Sequence, residues 1–91
     1  MKDIIMFDES NILWGSNEQN IMQMRRNMTY INCILRQRGY IYLNQIYECF
    51  EANWDTQRYN HCILYNGKEI RFEINIFDDK PELGYLIDII W

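Results

Sequence analysis

Within Lys68–Phe77, polar and apolar residues alternate without interruption from Glu69 to Ile76. Successive side chains of a β-strand point to opposite faces, so this period of two is typical of a strand with one face against a core. Asn66-Gly67 stands immediately before it, and this pair favours the two-residue type I′ turn of a hairpin. The pattern predicts a hairpin in which Tyr59–Tyr65 pairs with Lys68–Phe77 and Ile63 faces Ile70. The apolar face of the second strand would consist of Ile70, Phe72, Ile74 and Ile76.

A third strand is predicted over Leu83–Trp91, after a turn at Asp78–Glu82. Its apolar side chains do not stay on one face, because Leu86 and Ile90 break the alternation. Such a strand is either central, with both faces covered, or an edge strand whose free backbone recruits another chain. No lysine or proline protects the segment after Pro81, which favours the edge arrangement.

The first half of the chain has the period of a helix instead. Ser16 and Gln19 match a capping box, and Gly39 follows basic residues as it does at the end of many helices. Asn27 or Thr29 would divide this stretch if it forms two helices. Between the two ends, one apolar stripe recurs at spacings of three and four: Ile21, Met24, Met28, Ile31 and Leu35.

A second helix is predicted after a short extended link, Tyr40–Tyr42. Asn44 is the expected N-cap and Asn53 the expected left-handed stop. Lys2–Phe7 is either a strand or a loose N-terminal arm. The fold class is therefore α+β, with two helices, or three, packed on a three- to four-stranded antiparallel meander. The chain forms one domain over residues 1–91, with the arm or strand in 1–15, the helical half in 16–53 and the strands in 59–91.

Composition limits the function classes. The chain has 91 residues, which suits one domain, and a formal net charge of -4. Attraction to phosphate supplies much of the affinity of nucleic-acid-binding proteins, so the acidic charge does not favour direct nucleic-acid binding. The four arginines at positions 25, 26, 36 and 38 are expected to form a solvated helix face.

The cysteines Cys33, Cys49 and Cys62 are odd in number and widely spaced. Secreted domains of this size usually carry an even disulfide framework, so reduced thiols and a cytoplasmic location are expected. No secretory leader is expected, because acidic residues follow the first seven positions at once, and no apolar run approaches the roughly 18 residues of a membrane span. No membrane association is predicted.

The segment Leu35–Glu48 resembles a motif of known proteins. Its residues, LRQRGYIYLNQIYE, are similar to the pattern LRxRGYxxLN[DE]VYE in small uncharacterised proteins from phages of Gram-positive bacteria. The chain departs from that family at Trp54–Arg58, where the relatives carry a Gly-Trp motif. The resemblance implies a phage or mobile-element origin, which agrees with a composition of 15 Ile, ten Asn and no Val. It implies no activity, because the family has none assigned.

No set of residues predicts catalysis, a cofactor or a metal site. His61 and Cys62 are adjacent, and neighbours in a strand point to opposite faces, so a shared site is not expected. Asp78, Asp79 and Glu82 cluster in a turn without the ligand order of a calcium loop. The acidic cluster is read as a solvated turn or as a surface for a partner.

These observations predict a non-enzymatic protein of a phage or mobile element that binds and blocks a bacterial host protein. One form would be an anti-CRISPR-like inhibitor of a nucleic-acid-binding defence protein. One alternative is a structural or assembly protein that forms a homodimer or larger homo-oligomer through its last strand. Another is a winged-helix-like nucleic-acid binder, with its recognition helix between residues 53 and 62. The candidate partner-binding residues are Trp54, Tyr59, Asp78, Asp79, Glu82, Ile90 and Trp91.

Overall fold

The computed structural model describes residues 1–11, 14–52 and 61–91. Within them, two helices accompany a three-stranded antiparallel sheet and a two-stranded sheet, which confirms the α+β class. In chain order the elements are β1 (Lys2–Phe7), α1 (Asn17–Arg38), β2 (Tyr40–Tyr42), α2 (Leu43–Cys49), β3 (Cys62–Leu64), β4 (Arg71–Ile76) and β5 (Tyr85–Ile90). No helix in these residues is long and apolar enough to cross a membrane.

Helix α1 begins and ends as its sequence predicts. The Gln19 amide donates to Ser16 Oγ at 3.2 Å, and Gln19 Oε1 accepts from the Ser16 amide at 3.0 Å. At the other end Gly39 adopts φ +83° and donates to the Leu35 carbonyl at 2.8 Å. The helix continues past Asn27 and Thr29 without a break, so this stretch is one helix.

Helix α2 begins two residues earlier than predicted. Gln45 Oε1 accepts from the Tyr42 amide at 3.0 Å, so Tyr42 precedes the first helical residue, Leu43, and the assignment of Asn44 as the N-cap is wrong. The cause is that Tyr40–Tyr42 is itself strand β2, whose last residue leads directly into the helix. The predicted stop at Asn53 lies outside the described residues.

Strand β5 is the central strand of the three-stranded sheet, whose order is β1-β5-β4. Ile87 lies between Ile5 on one neighbour and Ile74 on the other. The edge arrangement favoured for the last strand is therefore wrong, and the central alternative holds. The physical reason is that β1 pairs along the whole length of β5, so the β5 backbone has a partner on each side.

The predicted hairpin does not form. Strand β3 pairs with β2, which places Ile63 opposite Ile41. The other pairing of the predicted meander, β4 with β5, does form, through the predicted turn that contains Pro81. Asn66-Gly67 still turns the chain, with φ +92° at Gly67, but it joins two sheets instead of closing one hairpin.

The side-chain amide of Asn32 gives the physical reason. The Ile70 amide donates to Asn32 Oδ1 at 2.8 Å, and Asn32 Nδ2 donates to the Ile70 carbonyl at 3.0 Å. In the predicted hairpin both backbone groups of Ile70 would have bonded to Ile63. The pair that flanks a two-residue turn, Tyr65 and Lys68, is hydrogen-bonded, and hydrogen-bonded pairs recur at every second position. A carboxamide has one donor and one acceptor side, so Asn32 takes the place of a neighbouring strand.

Both helices pack on one face of the three-stranded sheet. Met24, Ile31 and Leu35 of the predicted stripe are buried. A second asparagine of α1, Asn20, is also buried and holds the chain before the helix. Its Oδ1 accepts from the Gly15 amide at 2.7 Å, and its Nδ2 donates to the Gly15 carbonyl at 3.1 Å. The sheet residues of the core are Ile5, Phe7, Tyr85, Ile87 and Ile89.

We expect Asn32→Leu to lower the free energy of unfolding by about 3 kcal/mol, since it leaves a buried amide and a buried carbonyl of Ile70 without partners. The matched control is Asn27→Leu on the same helix. Asn27 Nδ2 is buried without a hydrogen-bond acceptor among the described residues, so its removal should be neutral or stabilising. Urea unfolding of both variants measures the difference. Equal losses would show that Asn32 has no special role.

We expect Gly84→Ala to destabilise the protein more than Gly39→Ala. Gly84 has φ +130°, and an added Cβ would lie 2.8 Å from the carbonyl oxygen of Phe7. Gly39 has φ +83° with no atom within 4 Å of an added Cβ. Left-handed backbone alone costs about 1 kcal/mol, whereas the Gly84 conformation, open essentially to glycine alone, should cost about 3 kcal/mol. Thermal unfolding would contradict this if both variants had the same melting temperature.

Candidate functional site

The structure divides the candidate partner residues into separate groups. Trp54 and Tyr59 lie outside the described residues. Asp78, Asp79 and Glu82 are exposed in two 3-10 turns between β4 and β5. Their side chains belong to no buried network, which agrees with a solvated turn or an acidic partner surface.

Ile90 and Trp91 lie at the opposite end of β5 and are partly buried. The Trp91 amide donates to the Met1 carbonyl at 3.0 Å and so extends the pairing of β1 with β5. A strand rises about 3.3 Å per residue, which separates Tyr85 from Ile90 by about 17 Å. The acidic turn and the last two residues therefore do not form one patch.

The three-stranded sheet has a second face, turned away from the helices, which we call the open face. It carries every second residue of each strand, because side chains alternate along a strand. Ile4 is 48% exposed and Met6 38% exposed, and Leu86 and Ile90 are partly buried. The open face consists of Lys2, Ile4, Met6, Arg71, Glu73, Asn75, Leu86, Asp88 and Ile90.

Asp88 lies at the centre of the open face and is only 8% exposed. Lys2 Nζ lies 3.4 Å from its Oδ2, and Asn75 Nδ2 donates to the same oxygen at 3.3 Å. Leu86 and Ile90 flank it along β5. Burying a carboxyl group without polar partners is unfavourable, and Lys2 and Asn75 supply such partners.

Charges on the open face are arranged in rows. The strand register places Glu73 opposite Asp88, so two carboxylates are neighbours, an arrangement that destabilises a sheet unless cations offset it. Lys2 and Arg71 provide this compensation from the adjacent row, where Arg71 Nε lies 3.5 Å from Glu73. Both cations are mostly solvated, with side chains 55% and 69% exposed. A further cation from a partner would therefore be attracted to the carboxylate row.

A groove of about 590 Å³ adjoins one end of the open face. It lies between β3 and the segment 68–71. His61 and Cys62 both line it, because the groove runs along the edge of β3 and not over one of its faces. The His61 ring packs against Trp91, with 5.7 Å between ring centroids.

The three thiols are free, and the described residues hold no group of three or more His, Cys, Asp or Glu side chains able to bind a metal. Burial raises the pKa of the Cys49 thiol above its ordinary value of 9.0, and the negative charges of Glu48 and Glu51 raise it further. Cys49 therefore forms less thiolate near neutral pH than an ordinary cysteine does.

Sequence reasoning missed most of the open face. It selected Ile90 but not Asp88, Lys2 or Ile4. The usable signal was present in β5, where Leu86 and Ile90 interrupt the alternation and enclose an acidic residue. The sequence of β5 does not contain the strand order, and the strand order is what brings residues of β1 and β4 onto the open face.

A scan against protein-family models and searches of curated proteins and solved structures found no match to the chain.

We expect Cys49 to be alkylated by iodoacetamide more slowly near neutral pH than the cysteine of a short unstructured peptide, because its raised pKa leaves less thiolate. The peptide, treated in the same mixture, is the control. The Cys49 rate should keep rising as the pH passes 9.0, the ordinary thiol value. Peptide mass spectrometry over a pH series measures each rate. Fastest reaction at Cys49 near neutral pH would contradict the raised pKa.

Proposed function

We propose that this protein is a non-enzymatic binding protein that docks on a bacterial host protein through the open face and blocks it. The observation that carries the proposal is the group of four apolar side chains around Asp88, on a sheet face that no helix or strand among the described residues covers. One face of an antiparallel sheet can be solvated, and such a face normally carries polar residues. Here four of the nine residues on that face are apolar, namely Ile4, Met6, Leu86 and Ile90.

The open face has the composition of a binding surface. Interfaces combine an apolar centre with a polar rim, and large exposed apolar patches commonly mark them. Ile4 and Met6 are the exposed apolar residues of β1, while Arg71 and Glu73 form a solvated ion pair at the β4 side. A partner that covers this face would remove Ile4 and Met6 from water, which is a favourable change.

The charges indicate what kind of partner fits. Asp88 and Glu73 favour a surface that brings an arginine or lysine, set among apolar side chains, to the centre of the face. The whole chain carries a net charge of -4, which attracts basic proteins over a longer range. Nucleic-acid-binding proteins have basic surfaces, so a bacterial defence nuclease in the cytoplasm is the partner class that we propose. The resemblance of Leu35–Glu48 to phage proteins supports this setting.

The alternatives have weaker support. A second copy is a poor occupant of the open face, because a two-fold axis through its centre would stack Asp88 on Asp88. Homo-oligomer formation through the edge of the last strand loses its basis, since β5 is paired on both sides. The nucleic-acid alternative places its recognition helix between residues 53 and 62, of which the structure describes only the last two.

We expect Ile4→Lys to abolish capture and inhibition of the host target. The new lysine would repel the partner's cation and remove apolar area at the centre of the interface, with a loss of about tenfold or more in affinity. Tagged parent and variant are used to capture proteins from a bacterial lysate. Each captured protein is then purified, and its activity is titrated with the parent and with the variant.

The matched control is Met22→Lys, which makes the same charge change at a methionine 60% exposed on α1, away from the open face. It should bind and inhibit as the parent does. If Ile4→Lys captures and inhibits the same target as well as the parent, the open face is not the binding surface. A target that binds but keeps its activity would refute blocking, and a dimer that Ile4→Lys disperses would favour the assembly alternative.

A further inference from the structure

Strand β3 has one edge without a partner strand among the described residues, which we call its free edge. Its ladder with β2 ends in a hydrogen bond on each side. The Leu43 amide donates to the His61 carbonyl at 2.8 Å, and the Tyr65 amide donates to the Gly39 carbonyl at 2.9 Å. Hydrogen-bonded pairs alternate along an antiparallel ladder, so residues 61, 63 and 65 point their backbone groups toward β2. The backbone groups of Cys62 and Leu64 point the other way. Among the described residues, neither has a backbone partner on that side.

This free edge forms one wall of the groove, which Cys62 and Leu64 both line. The other wall is the segment 68–71, where Asn32 already holds both backbone groups of Ile70. The two hydrogen bonds between Asn32 and Ile70 thus hold the two walls apart. Ile70 has no free backbone group with which to pair to β3. Natural proteins usually protect such an edge, because unpaired amides and carbonyls recruit another strand.

One lining side chain also lacks a partner. The indole N–H of Trp91 is buried and has no hydrogen-bond acceptor among the described residues. A buried donor without an acceptor costs free energy. Apolar floor and walls come from Ile63, Ile70 and Ile90.

The groove carries an unpaired positive charge, although the net charge of the chain is negative. Lys68 lines it and has no ion pair among the described residues, whereas Arg71, which also lines it, is paired with Glu73. Glu69, the acidic lining residue, is neutralised by Arg36. The groove is therefore locally basic on a protein of net charge -4, and it complements an acidic ligand.

We propose that the groove binds an extended acidic peptide of a protein partner, which adds to the free edge of β3 as a third strand. Cys62 and Leu64 would exchange backbone hydrogen bonds with the peptide, apolar side chains at every second position would enter the groove, and Lys68 would pair with a carboxylate. Strand addition of this kind uses main-chain bonds for affinity and side-chain pockets for specificity. The site is separate from the open face, and the inference stands whether or not the open face binds a host protein.

The probe is a short capped peptide of alternating glutamate and isoleucine. Amide hydrogen exchange, followed by NMR, should show fast exchange at Cys62 and Leu64 in the free protein and slowed exchange in the complex. Ile63, whose amide points toward β2, is the control within the same strand and should be protected in both states. N-methylation of the peptide amides that would donate to β3 should weaken binding by about tenfold or more, because backbone hydrogen bonds are lost.

A pair of protein variants tests the charge. Lys68→Ala should weaken binding of the peptide by about threefold, a change in the range of exposed ion pairs, while Lys80→Ala makes the same charge change in the β4–β5 connection and should leave binding unaltered. The proposal is overturned if Cys62 and Leu64 are already protected in the free monomer, if the peptide does not bind at millimolar concentration, or if N-methylation has no effect. A dimer in sedimentation that protects these two amides would show that a second copy takes the edge, which also overturns it.

Discussion

The arrangement of strands depends on one buried pair of hydrogen bonds, between the Asn32 carboxamide and the backbone of Ile70. These bonds occupy the two groups that would otherwise join Ile70 to Ile63 in a hairpin. With Ile70 fixed to α1, strand β3 pairs with β2, and the chain continues into β4 at the side of β5. The groove lies between β3 and the segment 68–71, along the edge of β3 that does not face β2.

The same device holds the other end of α1, where the Asn20 carboxamide binds both backbone groups of Gly15. One helix therefore fixes the chain at two distant points through side chains that imitate a strand. Backbone groups buried without partners are strongly unfavourable, so such amides are specific anchors and not just tolerated polar residues. The hydroxyl of Tyr85 on β5 donates to Asn17 Oδ1 and adds a further link between α1 and the central strand.

The two surfaces with a proposed role follow from this topology. Because β1 and β4 both pair with β5, the sheet has a helix-covered face and an open face, with Asp88 at the centre of the latter. The open face is suited to a broad protein contact, whereas the free edge of β3 is suited to a peptide backbone. The edge of β1 is better protected, since the hydroxyl of Tyr47 donates to the Ile4 carbonyl at 3.0 Å. The molecule thus guards one edge with α2 and leaves the edge beside the groove accessible among the described residues.

The sequence by itself determined the local elements: the Ser16 capping box, the Gly39 stop, the apolar stripe of α1 and strands at β4 and β5. These depend on residues a few positions apart, whose periodicity and backbone preferences act within one segment. The sequence also indicates that Asn20 and Asn32 face the core, because Asn20 lies four residues before Met24 and Asn32 four residues after Met28, on the apolar stripe of α1. What only the tertiary structure decided was which strands pair, and with that the position of Asp88, the open face and the free edge of β3. Strand pairing joins residues far apart in the chain, and here a side chain from a helix competes with a strand for the same backbone groups. An Asn-Gly turn is compatible with either outcome, so the local pattern around Asn66 could not choose between them.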